Sequence, residues 1–141
     1  MSADTFIDSN VFLYQLDTRD ARKSAIAEAI VRDALDTGSA CISFQVVQET
    51  LNTILRKAEI VMSTGQTRAY LDTVLVRLLR LTAAVPLYHR ALDIQARYRF
   101  AFYDSLIIAA ALTAGCRRLY TEDMQHGQQI EGLSIVNPFK S

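Results

Sequence analysis

Asp104-Ser105-Leu106-Ile107-Ile108-Ala109-Ala110-Ala111-Leu112-Thr113-Ala114, stopped by Gly115, is the stretch on which the reading of the fold turns. Beyond its first two residues it is apolar nearly all round, which marks a helix enclosed by other elements. Such a helix needs layers on every side, and the flanking sequence provides them. Arg118 to Thr121 reads as a strand directly after it, and a helix from about Tyr88 to Tyr98 precedes it, with Ala83 to Pro86 as a further strand. Ala3 to Asp8 reads as the first strand, with Ser9 and Asn10 as cap candidates for the turn that follows. Arg22 to Asp36 is a helix closed by Thr37-Gly38, and Ala40 to Ser43 is the second strand. Gln45 to Val61 and Gln66 to Leu81 form a helical hairpin broken at Ser63-Thr64-Gly65. The second of these helices carries a stripe of Tyr70, Leu71, Val74, Leu75, Leu78 and Leu79, a pattern that usually faces a core and less often a partner. Ser134 to Val136 completes five short strands before Asn137-Pro138. Strands alternating with helices, without linkers or repeats, predict a layered α/β fold with a parallel sheet, and residues 1–141 are enough for one domain with a full core.

Half of the residues are hydrophobic, yet no apolar run approaches the ~20 residues needed to span a bilayer. The beginning of the chain lacks a basic segment followed by an apolar signal core, so the expectation is a cytoplasmic protein with no membrane partner. Cys41 and Cys116 lie one in each half of the chain, with no Cys or His at zinc-like spacing. Both read as small buried apolar residues, and a disulfide is unexpected in a reducing compartment. Fifteen basic residues balance fifteen acids, so net charge gives no overall attraction to nucleic acid.

Four acids abut apolar segments. Asp8 ends Thr5-Phe6-Ile7, Asp104 opens the enclosed helix, Asp123 follows Leu119-Tyr120-Thr121, and Glu49 lies within Gln45 to Leu55. Ligands of parallel sheets bind beyond the carboxyl ends of the strands, where Asp8 and Asp123 belong, and Asp104 heads a helix whose start reaches the same rim. Carboxylates gathered there repel one another, and a divalent cation held by oxygen ligands is the usual remedy. Each acid also has a plainer reading. Asp8 and Asp104 make good helix caps, Asp123 suits a turn, and Glu49 beside Gln45, Asn52 and Arg56 fits a solvated helix face. If the four acids are neutralised by metal, 15 basic residues against 15 − 4 = 11 acids leave a surplus of four positive charges, which permits a phosphodiester substrate.

Phe6-Ile7-Asp8-Ser9-Asn10-Val11-Phe12-Leu13-Tyr14, Ser43-Phe44-Gln45-Val46-Val47-Gln48-Glu49, Phe102-Tyr103-Asp104-Ser105-Leu106-Ile107-Ile108-Ala109-Ala110-Ala111 and Leu119-Tyr120-Thr121-Glu122-Asp123-Met124-Gln125 follow one another in an order that resembles the PIN-domain ribonucleases, and within them the VapC-type toxins of bacterial toxin-antitoxin pairs. The resemblance spans nearly the whole chain. It implies a three-layer α/β/α domain with a five-stranded parallel sheet, and convergence of Asp8, Glu49, Asp104 and Asp123 on Mg²⁺ or Mn²⁺. It also implies supporting roles for Asn10, Ser43 and Thr121, with Glu122 able to take the place of Asp123. The activity implied is endonucleolytic hydrolysis of RNA by a metal-activated water, restrained by a cognate antitoxin protein, with a homodimer also expected.

RNA contact needs basic and aromatic groups near the rim, and Arg97-Tyr98-Arg99-Phe100-Ala101-Phe102-Tyr103 interleaves both, although its aromatics equally suit the core. His126 and His89 are weaker candidates, because an exposed histidine is more often passive. Two rivals remain. A small-molecule phosphohydrolase of the haloacid-dehalogenase pattern needs a second Asp two residues after the first, where this chain has Asn10. A non-catalytic RNA- or protein-binding relative, or a receiver-like domain with an acidic pocket, is the other; the receiver pattern lacks its Asp at Pro86 and its Lys before Pro138.

Overall fold

The computed structural model describes residues 3–141. Six strands form one sheet: β1 (Thr5–Ile7), β2 (Ala40–Ser43), β3 (Leu79–Leu81), β4 (Arg118–Tyr120), β5 (Gln129–Ile130) and β6 (Leu133–Val136), in the spatial order β3-β2-β1-β4-β6-β5. All neighbours run parallel except β5 and β6. The helices are α1 (Ser9–Leu16), α2 (Ala21–Thr37), α3 (Phe44–Arg56), α4 (Thr64–Tyr70), a π-helical turn (Leu71–Leu75), α5 (Val76–Leu78), α6 (Val85–Tyr98) and α7 (Phe102–Thr113). Among the described residues no helix is long and apolar enough to cross a membrane.

The sheet is central because β1 and β2 are buried on both faces. Phe6 and Ile7 of β1, and Cys41 and Ile42 of β2, are fully enclosed although successive side chains point to opposite sides. α7 is the enclosed helix that its composition predicts, with every residue from Ser105 to Ala111 buried. Gly115, at φ 77°, turns the chain off its end toward β4.

The α/β class holds, and the element inventory needs four corrections. The sheet has six strands in place of five, because Gln129–Ile130 folds back on β6 as a hairpin whose two turn residues, Glu131 and Gly132, both have positive φ. The third strand is Leu79–Leu81 and not Ala83 to Pro86, since Pro86 occupies the first turn of α6, where its fixed φ favours a helix start. Ser9 and Asn10 belong to a helix of their own, α1, with Asp8 as its cap. The helical hairpin also breaks earlier than expected. α3 ends at Arg56, and Ser63 caps α4 through a reciprocal pair of hydrogen bonds with Gln66.

The stripe on the second hairpin helix faces inward. Tyr70, Leu75 and Leu78 are buried, while Leu71, Val74 and Leu79 lie partly buried against the core, so it is not the partner surface that its leucines also allowed. In the π turn the Val76 amide bonds the Leu71 carbonyl, five residues back, which rotates the following residues out of helical phase before Leu79 enters the sheet.

Ile108, fully enclosed in α7, tests this arrangement. Ile108→Ala is expected to lower unfolding free energy by about 3 kcal/mol in urea titrations, from lost burial plus the cavity left behind.

Candidate active site

The register between β1 and β4 builds the first part of the site. Ile7 pairs with Tyr120, so the next residues, Asp8 and Thr121, stand side by side where both strands end. The Asp8 amide donates to the Tyr120 carbonyl at 3.0 Å. Its Oδ1 accepts from the Ser9 amide at 2.7 Å, and its Oδ2 from the Thr121 hydroxyl at 2.8 Å. Asp8 is 4% exposed. Burial pushes its pKa up to about 7; the bonds from Thr121 and Ser9 oppose that rise, and the charges of Asp123 and Glu49 add to it.

The other acids come from three further segments. Glu49 stands on α3, which starts directly after β2, and burial raises its pKa, with added repulsion from Asp123 and Asp104. The Ser9 hydroxyl donates to its Oε1 at 3.5 Å. Asp104 lies in the first turn of α7, where free amides favour a carboxylate, but burial and the charge of Asp123 still raise its pKa. Asp123 follows β4; the Asn10 amide group donates to its Oδ2 at 3.1 Å, and its own amide donates to the Thr121 hydroxyl at 3.1 Å. Thr121 therefore links Asp8 to Asp123, and Asn10 braces Asp123 from α1.

Glu122 points into different company. Lys23 Nζ and the Tyr14 hydroxyl each donate to its carboxylate at 2.6 Å. Burial alone would raise its pKa, but Lys23 and Tyr14 together hold it below the ordinary value. The Glu122 amide donates to Asn10 Oδ1 at 3.3 Å, so its backbone belongs to the rim while its side chain does not.

Gln45 has a role that its helix-face reading missed. It is buried, its Nε2 donates to the Tyr103 carbonyl at 3.1 Å, and so it ties α3 to the start of α7 between two of the acids, while its amide opposes the rise in the Glu49 pKa. Its i, i+4 spacing to Glu49 is the signal that sequence offered. Ser43 caps α3 by position only. Its hydroxyl and Gln45 Oε1 are buried without a partner. His126 accepts the Asn137 amide at its Nδ1, which ties two loops together. In the Arg97 to Tyr103 segment the aromatics divide: Tyr98 and Phe100 pack against the core, while Phe102 and Tyr103 are exposed beside Asp104.

The donors suit a hard cation. Four carboxylates, with Asn10, Ser43 and Thr121 around them, form an all-oxygen set, and Ser43 has an unclaimed buried hydroxyl. Among the described residues no three His, Cys, Asp or Glu side chains stand tightly enough to cage one ion in their present orientation. Glu49 and Asp104 are half-buried and Asp123 is exposed, while Asp8 is fully enclosed.

Over residues 5–128 the sequence matches the PIN domain. The chain belongs to the PIN-domain family. Among solved structures, this PIN domain is similar to a toxin-antitoxin complex from Klebsiella pneumoniae (TM-score 0.64, 18% identity, covering 95% of this chain and 97% of that one). It is also similar to VapC20 of Mycobacterium tuberculosis, a sarcin-ricin-loop-cleaving toxin (TM-score 0.63, 19% identity, 84% and 89% covered). A third is VapBC2 from Rickettsia felis, bound to a DNA fragment from its promoter (TM-score 0.63, 14% identity, 93% and 96% covered). At such identities the likeness establishes a shared fold. No curated protein matches the chain.

The elevated pKa of Asp8 gives the metal-free protein a pH dependence of definite sign. A raised carboxyl contributes its stability below the unfolded-state value and loses it as pH rises toward about 7. In the presence of a chelator, unfolding free energy is expected to fall between pH 4 and 7 by an Asp8 contribution on the order of a few kcal/mol. Asp8→Asn removes that contribution and flattens the profile; an unchanged slope in the variant contradicts it.

Proposed function

We propose that this PIN domain is a Mg²⁺- or Mn²⁺-dependent endoribonuclease, the toxin of a toxin-antitoxin pair, with Asp8, Glu49, Asp104 and Asp123 as its metal ligands. The observation that carries the reading is the meeting of four carboxylates from four separate segments on one sheet rim, close enough for Asp123 to raise the pKa of each of the other three. The toxin assignment draws support from the fold shared with the solved toxins above. Asp123 is the fourth acid because the Glu122 carboxylate is already engaged by Lys23 and Tyr14.

Asp8, Glu49, Asp104 and Asp123 would hold a divalent ion at this rim, which would supply charge neutralisation at a scissile phosphate and a more acidic water for hydrolysis. The chain's own groups set the geometry. Thr121 and the Ser9 amide fix the Asp8 carboxylate, Asn10 fixes that of Asp123, and Gln45 ties α3, the helix bearing Glu49, to the start of α7. Exposed Tyr103, next to Asp104, offers a stacking face for an unpaired base, and solvated Arg97 and Arg99 precede it with charge for the backbone. Val85, Tyr88 and Leu92 recur as exposed apolar residues on one face of α6, the surface assigned here to a homodimer. Leu55 and Val61, exposed at the end of α3 and beyond it, are assigned to the antitoxin.

The test is cleavage of structured RNA by purified protein with added Mg²⁺ or Mn²⁺. Chelation, Asp8→Asn and Asp104→Asn are each expected to reduce cleavage at least about a hundredfold, and Asp123→Asn to cost far more than Glu122→Gln, which should lose less than about tenfold. Cleavage that persists without divalent ions, or in both Asp8→Asn and Asp104→Asn, overturns the assignment.

A further inference from the structure

Two nucleophilic side chains lie away from the acidic rim and take no part in it. Cys41 is the second residue of β2, and Cys116 follows Gly115 in the link from α7 to β4. That link is firmly placed. The Cys116 amide donates to the Ala111 carbonyl at 3.0 Å, and the Arg117 amide to the Asp4 carbonyl at 2.8 Å. Across a sequence separation of 75 residues the two sulfurs stand 3.7 Å apart, and both residues are buried.

We propose that Cys41 and Cys116 form a redox pair that closes to an intramolecular disulfide when the protein meets a two-electron thiol oxidant such as hydrogen peroxide. A disulfide needs its sulfurs about 2.05 Å apart. The observed separation leaves a closing movement of less than about 2 Å. The two thiols share a hydrogen bond in which either sulfur can donate, and the Arg80 guanidinium favours a thiolate at either one.

Either sulfur can open the reaction, and the steps with Cys41 first are the same with the roles exchanged. As thiolate, Cys41 attacks one peroxide oxygen, the O–O bond breaks, and hydroxide leaves to be protonated to water, with Cys41 now a sulfenic acid. The Cys116 sulfur then attacks the Cys41 sulfur; the S–S bond forms, the S–O bond breaks, and the departing hydroxide takes the Cys116 proton as a second water. Two thiols lose two electrons, and one peroxide gains them. The bond would join β2, which leads into the helix bearing Glu49, to the end of the helix bearing Asp104. A cross-link over so long a loop constrains the unfolded chain strongly, so the oxidised protein is the more stable form.

The experiment uses the full chain, reduced, freed of reductant, treated with hydrogen peroxide, and then denatured in N-ethylmaleimide. Intact mass spectrometry is expected to show a loss of about 2 Da with no maleimide adduct, reversed by dithiothreitol, and peptide mapping to show Cys41 joined to Cys116. The melting temperature should rise by about 5 °C or more on oxidation. Cys41→Ser and Cys116→Ser should each abolish the 2 Da loss. Two maleimide adducts on the treated wild-type protein, a gain of about 32 Da from sulfinic acid, or a cross-link between chains overturns the proposal. The wild-type measurement decides the question even where a serine variant folds poorly.

Discussion

The hydrogen bond from Thr121 to the buried carboxylate of Asp8 joins the ends of two neighbouring parallel strands, and the acidic rim is arranged around it. An ionised carboxylate in so enclosed a place is costly unless hydrogen bonds or a counter-charge offset the lost water. Asp8 has two such bonds, from Thr121 and the Ser9 amide, and its pKa still climbs to about 7. Bringing Asp123 and Glu49 into range adds to the cost. A sequence selected for stability alone would not gather acids where a sheet has already removed one of them from water. The arrangement makes physical sense if a cation completes it, as proposed here.

Holding four acids along one rim requires that their carriers be stiff, because each comes from a different part of the chain. α7, enclosed on all sides, fixes Asp104, and Gln45 bonds its first turn to α3. Asp17 does similar work at the other end of α1. Its carboxylate, held well below the usual range by Arg19 and Lys57, ties the end of the helix bearing Asn10 to the end of the one bearing Glu49. Glu49 and Asp104 are half-buried and Asp123 is exposed, so these three have more room to adjust to a ligand than buried Asp8.

Much of this was legible in the sequence, for identifiable reasons. β1, β2, β4 and α7 announced themselves as apolar runs, and the parallel topology alone placed Asp8 and Asp123 at one rim. β3 was hidden because Leu79 and Leu81 continue the helical stripe of α4 and α5, and only the π turn breaks its phase. β5 was too short to register, and its Glu131-Gly132 turn lacks the Asn-Gly signature of such hairpins. Glu49 needed the family resemblance, since Gln45 and its neighbours read as a solvated face. The choice between Glu122 and Asp123 turns on Lys23 and Tyr14, residues about a hundred positions away, and no local pattern carries that information. The contact between Cys41 and Cys116 is a product of tertiary structure in the same way.

The most direct test of a cation at this rim is anomalous diffraction from crystals grown with Mn²⁺. The expected result is one or two Mn²⁺ peaks within coordination distance, about 2.2 Å, of oxygens from Asp8 and Asp104, with Glu49 or Asp123 completing the shell directly or through water. Crystals saturated with Mn²⁺ that hold no ion there, with the four carboxylates still splayed, would contradict it.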